Sequence, residues 1–280
     1  MTLPSRIIDQ MRKDFESVAR GPKAIMAIAA EKAHQELLQQ MTSDLAALKE
    51  QLMQTLRLPL QELAERIESM PPKLKSAVLR MGQRGWFWAP DMAHYAPLHI
   101  AQAIEEGRTS EVDAELEVYF DKHRGEIAAY ICGRFPHRAT IIRAAFSAHE
   151  RQEYALSVPV LLAQTDGISK EITNKNYFMK DGKKPRTARY VESLDVCQYT
   201  SAILSILTYS LPITENENER SAVDGQFNRH MILHGESVDY DTKPNSARAI
   251  SLINYITYCH EAVEQFQKRT PASGSPQANA

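Results

Sequence analysis

Apolar residues recur three and four positions apart along most of this chain, and runs that alternate apolar with polar residues are hard to find. Side chains three and four apart share one face of an α-helix, whereas a half-buried strand needs a period of two. Glycine is scarce, with 11 in 280 residues. The sequence therefore predicts an all-α fold.

The composition is that of a folded globular protein. Hydrophobic residues make up 43% of the chain and charged residues 24%, which excludes a wholly disordered or collagen-like chain. The net charge is −2, so any nucleic-acid binding needs a local basic patch. The cysteines Cys132, Cys197 and Cys259 form no Cys-x-x-Cys pair, which excludes a zinc ribbon or a thioredoxin-type site.

The first residues lead into mixed charge without an apolar signal core. The longest apolar stretches, 24–30 and 201–213, are too short or too polar to span a bilayer. A sparse, odd number of cysteines suits a reducing compartment. We therefore expect a soluble cytoplasmic protein with no membrane partner.

A helical arm is expected over residues 1–72. Its apolar positions step by four, three and four, at Met41, Leu45, Leu48 and Leu52. Two heptads are short for a coiled coil, so we favour one face of a packed helical hairpin, with an arm that dimerises or docks a partner as the alternative. Pro59 should kink or end the helix, and the pair Pro71-Pro72 should close the region.

A small helical region, 73–137, follows, and one turn in it carries both tryptophans, Trp86 and Trp88. Two indoles near glycines could stack on a base, but anchoring a joint between helices is their commoner role, and we favour it. A helix should begin at Thr109. Its apolar face would consist of Val112, Leu116, Tyr119 and Phe120.

Four helices are expected in a C-terminal bundle, 138–268. They should occupy about 138–172 (bent near Pro159), 188–210, 219–233 and 249–268. Gly235 is placed like the glycine that follows a helix end. The inward positions of the last helix should be Ile250, Ile253, Tyr255 and Ile256. Residues 269–280 are predicted to be a disordered tail.

The densest polar cluster of the chain contains Asn228, Arg229, His230 and His234. A guanidinium is a fixed, always charged fork for phosphate oxygens, and an imidazole can take or give a proton near neutral pH. At a helix end, Arg229 and His234 could converge on one phosphate. The alternative is that both groups cap the helix C-terminus and pair with Glu236 or Asp239.

A metal site is not expected in this cluster. His230 and His234 are four apart and share a helical face, as metal ligands can. A zincin, however, needs Glu where this chain has Met231, and no Cys or carboxylate offers an obvious third ligand. We therefore expect neither a metal nor another cofactor.

The segment Asn228-Arg-His-x-x-Leu-His-Gly235, followed by Asp239-Tyr-Asp-Thr242 and Asn245-Ser246, resembles the C-terminal motif block of HEPN (higher eukaryotes and prokaryotes nucleotide-binding) domains. The resemblance covers about 138–268. The stretch 154–167 also resembles the first helix of uncharacterised bacterial HEPN-like proteins, although Asp166 stands where those have Glu.

The resemblance implies an all-α bundle of four or five helices whose motif ends the third helix. Many HEPN domains are metal-independent ribonucleases of toxin–antitoxin and phage-defence systems, and others are inactive. In the active ones two copies of the motif meet across a homodimer interface. Arg229 would then hold the scissile phosphate and His234 would assist attack of the ribose 2′-OH or protonate the leaving oxygen, which gives a 2′,3′-cyclic phosphate. Asn228 and His230 would be supporting groups, and an antitoxin or other protein partner is implied.

A local basic stretch, 170–189, has seven Lys and Arg against two acidic residues, with aromatic rings between them. Such a loop suits single-stranded RNA, because phosphates pair with cations and bases stack on rings. The candidate RNA-binding residues are Lys175, Tyr177, Phe178, Lys180, Lys183, Lys184 and Arg186. The alternative is a solvated loop between helices.

Three functions are therefore compatible with the sequence. The first is a metal-independent endoribonuclease that acts as a dimer. The second is a catalytically inactive HEPN-like module that binds nucleic acid or protein. The third is an architectural helical protein that oligomerises through residues 23–70.

Overall fold

The computed structural model describes residues 5–215 and 227–269, and every structural statement below refers to those ranges. Most of the described residues are helical, which confirms the all-α prediction. The helices are α1 Ser5–Gln83, α2 Ala96–Glu105, α3 Thr109–Arg134, α4 Ala139–Glu150, α5 Tyr154–Thr173, α6 Ala188–Glu192, α7 Gln198–Leu204, α8 Arg229–Leu233 and α9 Lys243–Arg269.

The remaining regular elements of the described chain are short. Turns of 3-10 helix occupy Pro136–Arg138, Ser205–Leu207 and Pro212–Thr214. Strands β1 Lys180–Asp181 and β2 Lys184–Pro185 form an antiparallel pair with Lys180 opposite Pro185. In the described ranges no helix combines the length and the apolar content that crossing a bilayer requires.

The chain divides into two compact units, Met1–Ile67 and Glu68–Ala280, called unit 1 and unit 2 below. In unit 1 the heptad residues Met41, Leu45, Leu48 and Leu52 are 52 to 62% exposed. Residues Ser5–Gln83 form one uninterrupted helix, so the helical hairpin that the pattern favours is not formed in this region.

Helix α1 continues through Pro59 and through Pro71-Pro72, so the prediction that Pro71-Pro72 closes the helix is wrong, and at Pro59 the helix does not end. A proline inside a helix removes one backbone hydrogen bond and costs about 3 kcal/mol. In the last turns of α1, Leu74 and Met81 are buried in the core of unit 2, and this burial offsets the cost there.

Four helices, α3, α4, α5 and α9, pack on one another and enclose the core of unit 2. The predicted inward residues Ile250, Ile253, Tyr255 and Ile256 are fully buried. Because α3 packs on both α4 and α9, the expected boundary at 137/138 does not separate two parts of the structure. The predicted tail 269–280 lies outside the described residues apart from Arg269, the last residue of α9.

The predicted helix 138–172 is two helices, because Gln152 takes a left-handed φ of +63° between α4 and α5. Pro159, the expected bend, lies inside α5. Proline has no N–H to offer the carbonyl of Ala155, four residues back. The hydroxyl of Tyr240 donates to that carbonyl at 3.1 Å, so the helix continues without leaving it unpaired.

Both tryptophans are fully buried, which confirms the anchor interpretation. The ring of Trp86 stacks on Phe120 of α3 with 5.9 Å between centroids, and its Nε1 donates to Asp113 at 2.8 Å. The guanidinium of Arg248 in α9 lies 5.3 Å from the centroid of the same indole. One side chain thus joins the end of α1 to two helices of the bundle.

Candidate functional site

Asn228 starts the one-turn helix α8 that carries the polar cluster. Its backbone is extended, and its Oδ1 accepts from the N–H of Met231 at 3.1 Å, as in a helix N-cap. Its Nδ2 donates to the carbonyls of Pro212 and Glu215 at 2.7 and 2.9 Å. The side chain is 1% exposed and its bonds are all to the protein backbone, so Asn228 holds α8 in place, as an orienting group would, and does not contact a phosphate directly.

The motif residues lie at the two ends of α8. Arg229 is the first helical residue, His234 is the C-cap, and Gly235 follows with a φ of +74°. The predicted helix-end glycine is therefore confirmed. The expected helix 219–233 is observed from Arg229 onwards, and residues 219–226 lie outside the described ranges.

The guanidinium of Arg229 packs on an aromatic ring of the loop between α5 and β1. Its Cζ lies 5.6 Å from the ring centroid of Phe178, within cation–π range. Its Nε is buried and has no hydrogen-bond partner within 5–215 and 227–269. The ring contact holds the guanidinium in place and uses no N–H donor. The Nη donors can therefore bind an anion.

His230 and His234 form an imidazole pair, with ring centroids 4.3 Å apart. His230 Nε2 lies 3.3 Å from Glu236. Glu236 was one of the two acids expected to pair with Arg229 or His234, but its partner in the cluster is His230. Asp239 instead accepts from Ser237 at 2.8 Å. The His234 side chain is exposed.

Arg229 and His234 do not share a helical face. Five residues advance a helix by about 140° beyond one full turn, whereas His230 and His234, four apart, lie one above the other. The two imidazoles contact each other, while the guanidinium of Arg229 contacts the ring of Phe178.

Asp166 of α5 positions the ring beneath Arg229, a role that the sequence did not reveal. Its carboxylate accepts from Asn176 Nδ2 at 2.6 Å and from the backbone N–H of Phe178 at 3.2 Å. The neighbouring Gly167 leaves room for Arg138, because a Cβ there would lie 2.6 Å from the Arg138 Nη1. In the sequence, position 166 is distinguished only by having Asp where the HEPN-like proteins have Glu.

Two of the candidate RNA-binding residues are misassigned. Tyr177 is 0% exposed and Phe178 is 6% exposed, and their rings pack together 5.1 Å apart. Burial raises the pKa of Tyr177 well above its ordinary value. Neither ring can stack on a base, because the bonds from Asp166 draw this loop onto the bundle core.

The basic candidates of the same segment divide by their contacts. Lys175, Lys183 and Arg186 are exposed, and Arg186 also contacts the sulfur of Met179 at 3.7 Å. Lys184 pairs with Glu192, while Lys180 lies in β1 and is partly buried. Arg189 of the same stretch pairs with Asp181 at 2.7 Å. Acidic neighbours thus neutralise part of the expected positive charge.

Unit 2 contains a cavity of about 470 Å³ that is lined by three lysines, two of them from the basic segment. Lys183 and Lys184 line it together with Lys75, whose Nζ lies 4.9 Å above the ring of Tyr209. Tyr209 is 44% exposed. Ser201, Thr208 and Ser210 also line it, together with Glu192, which pairs with Lys184 and leaves Lys75 and Lys183 as the lysines available to an anion. Lys75 and Tyr209 were missed because they lie far from the basic segment in sequence.

No protein-family model, curated protein or solved structure matches this chain. Within the described ranges, His, Cys, Asp and Glu side chains form no group of three that could hold a metal ion.

Proposed function

We propose that this protein is a metal-independent endoribonuclease of the HEPN type that cleaves RNA to 2′,3′-cyclic phosphate ends. One observation carries the proposal: the exposed His234, paired with His230, lies on the same one-turn helix as a guanidinium mounted on Phe178. These are a proton-transfer group and a phosphate-binding group, the two that this reaction needs without a metal.

In the proposed reaction one imidazole takes the proton of the ribose 2′-OH, and the oxygen attacks the adjacent phosphorus. The P–O5′ bond breaks, and a second protonated group supplies a proton to the leaving 5′-oxygen. Arg229 stabilises the charge that develops on the phosphoryl oxygens. His230 orients His234 through their ring contact.

Because the positions of Arg229 and His234 differ by about 140° around α8, the complete site in this proposal is shared by two copies of the chain. The guanidinium of one copy would act with the imidazole of the other. This arrangement agrees with the dimer that the resemblance to HEPN domains implies. In that setting the protein acts on cytoplasmic RNA as a toxin or phage-defence effector, with an antitoxin as its protein partner.

The RNA strand is proposed to lie in the lysine cavity. Lys75 and Lys183 would contact phosphates, and the exposed ring of Tyr209 would take the stacking role first assigned to Tyr177 and Phe178. The cavity has the volume of ordinary small-ligand sites, which run from about 300 to 1,000 Å³.

The deciding experiment is RNA cleavage in EDTA by the full chain, with analysis of the product ends. Arg229→Ala and His234→Ala should each abolish cyclic-phosphate products. Arg143→Ala and His99→Ala are matched controls, because they remove the same groups from exposed positions outside α8. Cleavage that survives both α8 substitutions would contradict the proposed site.

An inactive HEPN-like binding module is the second candidate, and Asn228 and Phe178 favour it. Both side chains are occupied in holding α8 and its neighbouring loop, as a purely structural motif requires. In that case total RNA, tRNA and structured RNA all remain uncut. RNA still binds, and Lys75→Glu weakens the binding while Arg229→Ala leaves it unchanged.

A further inference from the structure

A stripe of exposed apolar side chains runs along α1 in unit 1. It consists of Leu38, Met41, Leu45, Leu48 and Leu52, which are 50, 52, 62, 62 and 56% exposed. Large apolar side chains that are scattered singly on a surface need no explanation, but five aligned on one face mark an interaction surface.

The spacing of the stripe is that of a coiled-coil seam. In heptad notation Leu38, Leu45 and Leu52 occupy a positions, while Met41 and Leu48 occupy d positions. Polar residues bound the seam at both ends, with His34 at the preceding d position and Thr55 at the following one. The seam therefore spans three heptads, 34–55, all of whose side chains are exposed.

The residues that flank the seam distinguish the two possible orientations of a pair. In a parallel pair each g residue faces the e residue five positions later on the other chain. Asp44 at g then faces Lys49 at e, twice by symmetry. In an antiparallel pair g faces g and e faces e, and neither set in this seam offers opposite charges: the g residues are Leu37, Asp44 and Gln51, and the e residues are Gln35, Thr42 and Lys49.

We propose that residues 34–55 form a parallel, in-register, two-stranded coiled coil with a second copy of this chain. The charge complementarity of Asp44 and Lys49 selects a like copy as the partner, because the two groups meet only when identical segments align. Polar residues at most e and g positions keep the seam narrow, as two strands require. The proposed seam places association on α1, whereas the proposed ribonuclease needs two copies to meet at α8, so substitutions in 34–55 test the seam separately from the catalytic contact.

The seam is tested by the mass of the full chain in solution, from sedimentation equilibrium and light scattering over a wide range of concentration. The wild type should be a dimer, and Leu45→Asp with Leu48→Asp should dissociate at concentrations where the wild type is still dimeric. Ala46→Asp with Ala47→Asp is the matched control, because it adds the same charge at exposed positions outside the seam and should leave the dimer intact.

Thermal unfolding of unit 2 should be the same in the control and in the seam variant, since Leu45 and Leu48 are 62% exposed and lie outside the buried core of that unit. A wild type that is monomeric throughout would overturn the proposal. So would a seam variant that dimerises as tightly as the wild type, because the seam would then contribute nothing to association.

The orientation is tested by exchanging the two charges. Asp44→Lys alone, or Lys49→Asp alone, places like charges opposite each other twice and should weaken the dimer about tenfold. The double exchange restores both pairs and should return the dissociation constant to within about threefold of the wild type. Effects that simply add, without restoration, would overturn the parallel arrangement.

Discussion

The hydroxyl of Ser246 in α9 lies 2.7 Å from Nδ1 of His149 in α4, and both side chains are buried. The other ring nitrogen of His149 lies 3.4 Å from Asp121 of α3. Ser157 of α5 contacts the Ser246 hydroxyl at 2.6 Å. One imidazole therefore connects all four helices of the bundle in a continuous polar chain.

This imidazole should make the protein less stable in mild acid. Burial lowers the pKa of His149 below its ordinary 6.5, and nearby Arg124 and Lys243 act in the same direction while Asp121 opposes them. The unfolded chain takes up a proton near pH 6.5, whereas the folded chain stays neutral to lower pH. The contribution of neutral, buried His149 to the free energy of unfolding is therefore complete above that pH. It is lost as the pH drops below it.

Denaturant unfolding on either side of pH 6.5 measures this effect. His149→Gln should lower stability by about 1–3 kcal/mol, because it breaks a buried network, and should flatten the pH dependence. Some dependence should remain, since burial also lowers the pKa of His260. The matched control is His99→Gln at an exposed position. If the free energy of unfolding of His149→Gln depends on pH as steeply as that of the wild type, His149 is not the source of the pH dependence.

Asn228 is predicted to matter for stability rather than for phosphate binding. Asn228→Ala removes the helix cap and both bonds to the 212–215 segment, which should cost about 1–3 kcal/mol. Asn228→Ser keeps a capping oxygen but not the two donors, so its loss should be smaller. Thermal unfolding of the three proteins gives the order, and equal losses for Ala and Ser would mean that the cap contributes nothing.

The elements that the sequence predicted best are those with local signals. The period of the apolar residues identifies α9 and its inward face, and Thr109 marks the start of α3. The break after α4 was missed because it depends on a left-handed Gln152 where glycine is usual. The persistence of α5 through Pro159 depends on Tyr240, a partner that lies far along the chain.

The candidate site shows the same division. Its residue types were visible in the sequence, and Arg229 and His234 do lie on one short helix. Their directions were not visible, because they follow from where α8 begins and from Phe178 beneath the guanidinium. The burial of Tyr177 was likewise hidden, since it depends on Asp166 binding the loop that carries it.

Removing the hydroxyl of Tyr177 is expected to stabilise the protein, whereas most substitutions in a buried core destabilise it. This buried hydroxyl has no hydrogen-bond partner in the described part of the chain. Tyr177→Phe removes an unpaired polar group and keeps the ring, so it should raise the free energy of unfolding by about 1 kcal/mol. Tyr255→Phe is the control, because that hydroxyl donates to the carbonyl of Ile203 and its loss should destabilise. A loss of stability in Tyr177→Phe would reveal a partner for that hydroxyl.

The lysine cavity should determine how RNA binding responds to salt. Each phosphate neutralised on a single strand contributes about −0.7 to the slope of log affinity against log salt. Lys75→Glu and Lys183→Glu should each weaken binding and reduce the size of that slope by about this amount, if each lysine contacts one phosphate. Lys122→Glu, an exposed lysine of α3 that does not line the cavity, should change the affinity less and leave the slope near the wild-type value.

Tyr209→Ala separates stacking from charge in the same cavity. Loss of a stacked base should lower the affinity by a factor that corresponds to about 1–3 kcal/mol and leave the salt slope unchanged, because no charge is removed. Tyr209 is 44% exposed, so this substitution should alter the unfolding temperature little. Fluorescence anisotropy with a labelled single strand, in the Arg229→Ala background to prevent cleavage, gives affinity and slope together. An affinity that is insensitive to Lys75, Lys183 and Tyr209 would place the RNA path elsewhere on the chain.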